Sequence, residues 1–320
     1  MDQQAALETK TAPSSLPALP QDFEASAKSV ESSVAPSLFK DYLNLTKPGI
    51  TMSNMMMTFT GLWLASAGRL PILVSILTLI GSSLVVMSGC ALNNYMDRDI
   101  DPLMARTQGR PLPNGRVKPW TVMLLGIVLG IVGLGTLGIF VNTISALMAM
   151  IGLFFYVIVY TGMTKRTTTL STVVGSVSGA MPPLIGWTAV AGTLDETAWL
   201  LFAFMFIWQI PHFLSLGMRR VKDYAAAGIP LLPVVYGFEP TKRQIISWTA
   251  ALLPISLMLY VTHAVSLLYV AVALVLGGIY LAKALRALRP RDDIVWATDM
   301  FKYSLIYLTA MSAAMVVGVA

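Results

Sequence analysis

Uncharged apolar runs of about twenty residues recur along this chain from residue 50 to residue 320. A helix of about 18 or more apolar residues is long enough to cross a hydrocarbon core of ~30 Å. Nine such spans are read, at 50–67, 72–92, 120–141, 143–163, 170–191, 198–217, 245–262, 264–285 and 303–320. In lipid, backbone polar groups are satisfied only inside helices or closed barrels. So many spans leave no residues for a water-soluble core. Composition agrees, with 12% of the 320 residues charged against roughly 25% in a typical soluble domain. The expected fold class is therefore all-α, a polytopic membrane protein of nine transmembrane helices. Soluble enzymes and nucleic-acid binders are excluded, and the net charge of +6 is a matter of topology.

Lysine and arginine gather on the cytoplasmic side of membrane proteins. With a cytoplasmic N-terminus, 21 of the 22 basic residues fall inside and only Arg69 falls outside. Nine crossings then put the C-terminus outside. Residues 1–40 are rich in Ser, Ala, Pro and Gln and hold five acids and three lysines. They lack both the Arg-rich character of a transit peptide and the apolar core of a signal peptide. They are expected to form a disordered cytoplasmic tail, ahead of an intramembrane domain over 41–320, in a bacterial cell membrane. The only cysteine, Cys90, excludes an intrachain disulfide; it reads as a small apolar filler.

Charge avoids the spans and concentrates in two long inner connections. The first reads "NNYMDRDIDPLMARTQGRPLPNG", residues 93–115. Asn93, Asp97 and Asp101 are spaced four apart, on one helical face at about 6 Å per step. Asp99 is turned away from that face. Pro102 disfavours helical geometry just before it, so the helix should end near Asp101. A helix C-terminus is partially negative and repels carboxylates unless a cation is near. Oxygen donors of this kind suit Mg²⁺, commonly held by one or two carboxylates with substrate phosphates. Arg106 and Arg110 follow, and arginine favours phosphate oxygens bidentately. Carboxylates that need a metal, followed by such arginines, describe a diphosphate site. Arg116 and Lys118 are expected to anchor the membrane border.

The second connection reads "PHFLSLGMRRVKDYAAAGIPLLPVVYG", residues 211–237. Asp223 stands among Arg219, Arg220 and Lys222. It supplies either a further carboxylate for metal, with cations for phosphates or substrate acids, or a border anchor neutralised locally. Lys165 and Arg166, between the fourth and fifth spans, are further candidates for anion binding, though a basic pair there also fits ordinary topology. An ionisable residue at membrane depth is a functional candidate by default. His212 is thus a proton carrier or haem-iron ligand, or else a packed, hydrogen-bonded side chain. His263 reads as a polar turn residue.

The pattern Asn93-x₃-Asp97-x₃-Asp101-x₂-Met104-x-Arg106-Thr107-x₂-Arg110 resembles the first aspartate-rich signature of the UbiA superfamily of intramembrane prenyltransferases. The fuller wording "DRDIDPLMARTQGRPLPNG", with "KRTTTL", "PPLIGW" and "PHFLSLGMRRVKDYAAAGIPLLPVV", is similar to the haem-farnesylating branch of that superfamily. The likeness covers roughly residues 44 to 320. It implies nine helices around a central cavity, capped on the cytoplasmic side by both charged loops. It also implies an Mg²⁺-dependent reaction in which farnesyl diphosphate, haem b and water give haem O and diphosphate. Asn93, Asp97, Asp101 and Asp223 would hold the metal, and Arg106 and Arg110 would steady the diphosphate. Lys165, Arg166, Arg219, Lys222 or His212 would meet diphosphate or haem propionates. The likeness also suggests a haem A synthase as partner. Many members carry a second pair of acids four apart; here position 219 is arginine, which leaves a symmetric second metal in doubt.

Two other readings stand beside this one. A prenyltransferase with an aromatic acceptor would share the first signature, but the missing acidic pair and the "AGIPLLP" loop weigh against it. A transporter or ion pathway would place charged sites near the midplane in broken helices, whereas these acids gather at one border.

Overall fold

The computed structural model describes residues 37–288 and 292–320. No β-strand occurs among them, only one isolated antiparallel bridge between Val265 and Val319. A short helix α1 (Leu38–Leu45) precedes α2 (Pro48–Ala65), α3 (Ile72–Met96) and α4 (Pro119–Phe140). Helix α5 (Thr143–Phe154) runs on as a π-helix over Phe155–Thr164. Next come α6 (Ser171–Gly179) and α7 (Met181–Ala191), which follow one another as a single span, and α8 (Glu196–Arg219). Two short helices, α9 (Val221–Ala226) and α10 (Leu232–Val235), lead to α11 (Phe238–Val261), α12 (Leu267–Leu285) and α13 (Asp293–Val317).

Eight helical segments are long and apolar enough to cross a membrane: α3, α4, α5 with its π-helical end, α6–α7, α8, α11, α12 and α13. The ninth expected span differs. Helix α2 has the length, but Thr51, Ser53, Asn54, Thr58 and Thr60 lower its hydropathy below theirs. Thr51, Asn54, Thr58 and Thr60 are satisfied locally or by neighbours. Thr58 and Thr60 donate to backbone carbonyls four residues back, and the Thr60 hydroxyl also meets Ser312 of α13 at 2.6 Å. Leu38–Lys40 are the first turn of α1, and the remainder of the expected tail, residues 1–36, lies outside the described residues.

Local chemistry sets the helix ends. Side chains of Asn142, Asp195 and Asp292 accept from the first free backbone N–H groups of α5, α8 and α13 at 2.7–3.0 Å, which offsets the unpaired donors there. Proline opens α2 and α4, where its missing N–H costs nothing. Helix α8 is deeply enclosed, packing against α11 and α13.

Helices α2 and α7 cross at backbone contact. A Cβ on Gly61 would lie 2.2 Å from the Pro183 carbonyl oxygen, and one on Gly186 would lie 2.0 Å from that of Thr58. The two long connections meet each other: Ile100 and Met104 of the first pack on Tyr224, Ala227, Ile229 and Leu231 of the second.

Candidate active site

The polar centre forms where α3 ends. The α-helix stops at Met96 with Asp97 as its C-cap, short of the end expected near Asp101. Helical hydrogen bonding nonetheless continues: the Asp97 N–H donates to Asn93 and the Asp101 N–H to Asp97, each at 2.9 Å. A short 3₁₀ turn then carries Asp101 to Leu103. The three side chains therefore keep their common face. All are buried, at 4%, 1% and 1% exposure, a costly position for carboxylates without partners.

Those partners are cations. Lys165 donates to Asp97 Oδ2, and Arg166 Nη2 lies 3.8 Å from Asp97 Oδ1. Asn93 Nδ2 donates to Asp97 Oδ2 at 2.8 Å and to the Thr161 hydroxyl at 3.1 Å. Lys47 Nζ donates to Asn93 Oδ1 at 2.7 Å. An ammonium cannot accept a hydrogen bond, so the orientation of this amide is fixed from both sides. Arg110 Nη1 spans both oxygens of Asp101 at 2.9 and 2.7 Å. Asp97 Oδ1 is buried and finds no hydrogen-bond partner among the described residues.

The π-helix places Lys165 and Thr161. The Lys165 N–H donates five residues back to Tyr160 at 2.8 Å, and the Thr161 and Thr164 hydroxyls also reach five back, to Tyr156 and Val159. The wide turns carry Tyr156 and Tyr160, whose rings stack at 5.9 Å. Gly89 of α3 and Gly175 of α6 leave room for those rings. Short π segments are rare and occur often at functional sites.

The other expected residues divide into those at this centre and those apart from it. Asp99 is exposed and binds Arg166 at 2.6 and 2.7 Å, and the same guanidinium lies 3.8 Å from Asp97. That hydrogen bond holds the Asp99 carboxyl below the usual range. Arg106 is exposed and within electrostatic reach of Tyr224, whose hydroxyl burial pushes up. Asp223 lies 3.8 Å from Arg220. Among the described residues no three His, Cys, Asp or Glu side chains converge on one point, so Asp223 does not join Asp97 and Asp101 in a preformed cage. Lys222 is exposed.

His212 and Arg219 belong to a different cluster, on α8 facing α13. The guanidinium of Arg219 lies over Phe301 at 4.5 Å, Phe301 stacks on His212 at 4.8 Å, and His212 stacks on Trp208 at 4.9 Å. His212 Nδ1 and the Ser304 hydroxyl share a hydrogen bond of 2.7 Å. This is the packed, hydrogen-bonded arrangement. Arg116 is more than a border anchor, because its Nε donates to the buried Asp41 of α1 at 2.9 Å.

Sequence reasoning missed Lys47 and Thr161 as site residues. Lys47 read as one more inner-side charge, and Thr161 as part of an apolar span. The only local signal at Lys47 was its place before Pro48; its backbone adopts a left-handed φ of 49°. Desolvation lowers its ammonium pKa to about 8.

The chain and its helical fold have known counterparts. A family model described as the UbiA prenyltransferase family matches residues 54–306. A protoheme IX farnesyltransferase of Alkalihalophilus pseudofirmus is 50% identical over 299 residues, covering 92% of this chain and 95% of that protein. Protoheme IX farnesyltransferase 2 of Bacillus subtilis is 50% identical, covering 87% and 92%. In fold, a digeranylgeranylglyceryl phosphate synthase superposes with a TM-score of 0.74 at 19% identity, covering 88% of this chain and 98% of that one. A UbiA homologue from Archaeoglobus fulgidus, bound to GPP and Mg²⁺, does so with a TM-score of 0.63 at 14% identity, covering 87% and 99%. Matched over most of its length by family model and relatives alike, the chain belongs to the UbiA prenyltransferase family.

Proposed function

We propose that this protein transfers a farnesyl group from farnesyl diphosphate to a vinyl group of haem b, with addition of water, giving haem O and diphosphate. The observation that carries the reading is the buried Asn93–Asp97–Asp101 row with Lys47, Lys165 and Arg110 on it. The 50% identical relatives named as protoheme IX farnesyltransferases support the choice of acceptor.

The bond broken is the allylic C–O bond, and negative charge grows on the departing diphosphate. Cations fixed where that charge develops lower the barrier, because they gain more from the transition state than from the ground state. Lys47, Lys165 and Arg110 are such cations, already desolvated and oriented. Arg106 lies beyond them at the exposed rim. The new C–C bond joins the farnesyl terminus to the vinyl group; water adds to the adjacent vinyl carbon and loses a proton. Apolar helices keep water from the allylic cation until then. No enzyme nucleophile is needed.

The donor set also fits a divalent ion, in keeping with the Mg²⁺ bound by the Archaeoglobus homologue. Asp97 Oδ1 is a buried oxygen with no hydrogen-bond partner among the described residues, as a site for a hard cation requires. Asp97 and Asp101 would hold Mg²⁺, with Asn93 contributing its oxygen once Lys47 turns to phosphate; Asp223 would serve from the second loop. Bound there, the ion supplies Lewis-acid neutralisation of the leaving group. Arg219 and Lys222, outside this centre, and Arg166 at its edge are the propionate candidates. We further propose nine crossings around a central cavity, with the site facing the cytoplasm of a bacterial cell and a haem A synthase taking the product.

Mass spectrometry of haems formed by purified protein with haem b, farnesyl diphosphate and Mg²⁺ tests the reading. A hydroxyethylfarnesyl haem is expected, lost on chelation and lost in Asp97→Ala that still folds. Unimpaired turnover by Asp97→Ala would remove the carboxylate row from the mechanism.

A further inference from the structure

Helix α1 carries its apolar face outward. Phe39 and Leu43, four residues apart, share one side of it, and Asp41 and Leu45, also four apart, share the opposite side. On the inward side, buried Asp41 accepts from Arg116 Nε at 2.9 Å, and Leu45 packs among Ala91, Leu112, Val117 and Val122. On the outward side, Phe39 is 77% exposed, Leu38 64% and Leu43 44%. A helix facing water has the reverse arrangement, with its charges outside. The depth of α1 is fixed as well. The Tyr42 hydroxyl donates at 2.9 Å to Thr121, in the first turn of the membrane-length helix α4, next to an exposed Trp120. Tryptophan is enriched where headgroups meet acyl chains. The outward face of α1 thus stands at the depth of a bilayer border.

One residue, Thr46, separates α1 from Lys47. The Lys47 N–H donates back to the Asn44 carbonyl at 3.2 Å, and the Leu45 carbonyl accepts from Asn94 at 2.9 Å. The backbone then turns through the left-handed φ of 49° and Lys47 Nζ reaches Asn93. A helix of eight residues is not stable by itself, so whatever holds α1 also holds Lys47. We propose that α1 is an interfacial helix, its Leu38–Phe39–Leu43 face seated at the boundary of lipid headgroups and acyl chains, and that this seating positions Lys47 over the carboxylate row. Such a helix binds lipid through its buried apolar area. Phe39 and Leu43 are therefore positioning residues, acting on the site through Lys47. The seating stands on the geometry of α1 alone; its effect on a diphosphate rests on the function proposed above.

Nitroxide-labelled lipids test the seating of the full-length protein in phosphatidylcholine nanodiscs. In a Cys90→Ala background, a fluorophore on Phe39→Cys is expected to be quenched by a nitroxide high on the acyl chain and little by iodide in the water. The same fluorophore on exposed Gln108→Cys is expected to show the opposite. Iodide quenching at Phe39→Cys equal to that at Gln108→Cys would overturn the proposal. So would protection from both quenchers, which would mean that residues 1–36 or another protein cover the face.

The hold on Lys47 is read by calorimetric titration with inorganic diphosphate and Mg²⁺ in the same nanodiscs. Phe39→Asp with Leu43→Asp, which expels α1 from lipid, should weaken binding at least about tenfold, the scale of a charge-assisted hydrogen bond. Lys47→Met should weaken it as much. Adding both aspartates to Lys47→Met should cost nothing further, since all three changes act on one contact. Phe39→Trp, which keeps the lipid contact, should bind as the wild type does. A further loss on top of Lys47→Met would mark a merely structural defect and overturn the proposal. Wild-type affinity in Phe39→Asp with Leu43→Asp, beside weak binding in Lys47→Met, would overturn it too and leave the proposed function standing. Conversely, the expected pattern of affinities in a protein that forms no haem O would keep this inference and lose that function.

Discussion

Lys165 and Lys47 show how burial turns two ordinary lysines into parts of a site. Lys165 is 9% exposed and its ammonium meets a carboxylate that is 1% exposed. Removing one member of a buried ion pair leaves the other charged and unpaired, at a cost of about 3–5 kcal/mol. Lys165→Ala is therefore expected to lower the thermal midpoint in detergent as well as turnover. Lys165→Arg, which keeps the charge, should recover much of the midpoint. An unchanged midpoint in Lys165→Ala would mean that Asp97 is neutralised by another group. For Lys47 the desolvated ammonium binds its proton less tightly in the folded protein, with a pKa of about 8 against 10.5. Between those values the unfolded chain holds more protons, so this group's contribution to stability rises with pH through that window. Its charge at the site is lost over the same range. Turnover should accordingly fall above about pH 8 while the thermal midpoint gains, and Lys47→Met should abolish the gain.

At the scale of elements, two features decide how the bundle holds its polar centre. One is the π-helix, whose i→i+5 bonding sets the turns that bring Thr161 onto Asn93 and Lys165 onto Asp97. The other is the crossing of α2 and α7, where two glycines let the backbones touch. In membranes, where no hydrophobic force drives helices together, such close packing supplies much of the association. A methyl at Gly61 would strike the Pro183 carbonyl, which is backbone and cannot swing aside. Overpacking costs about 1–3 kcal/mol even where side chains can yield. Gly61→Ala is thus expected to reduce folded yield and thermal midpoint, whereas Gly135→Ala, with open space around it, should change neither. Equal behaviour of the two variants, read by gel filtration and thermal scanning, would contradict the close crossing.

For the whole molecule, the placement of basic residues bears on which way the bundle faces. From the distribution of lysine and arginine, we propose that the loop over 97–118 faces the cytoplasm. Cys90 is the only cysteine and is buried, so a Cys90→Ala background permits single reporters. A cysteine at exposed Gln108 is expected to react with a membrane-impermeant maleimide in inside-out vesicles and not in intact cells. The reverse pattern would invert the topology.

Much of this architecture was legible in the chain. Membrane-length apolar runs specify helices because lipid leaves the backbone no other way to pair its N–H and C=O groups, and that holds whatever the neighbours. The four-residue spacing of Asn93, Asp97 and Asp101 likewise survives as a common face, because it depends only on helical repeat. What the carboxylates bind depended on distant segments: Lys47 is 46 residues from Asn93 and Lys165 is 68 from Asp97. No spacing rule reaches that far. Nor could the chain alone separate His212, packed between Trp208 and Phe301, from the acids one loop away. Helical periodicity is local and is written in the sequence. Which cation neutralises which buried acid is settled only when helices far apart in the chain pack into one low-dielectric interior.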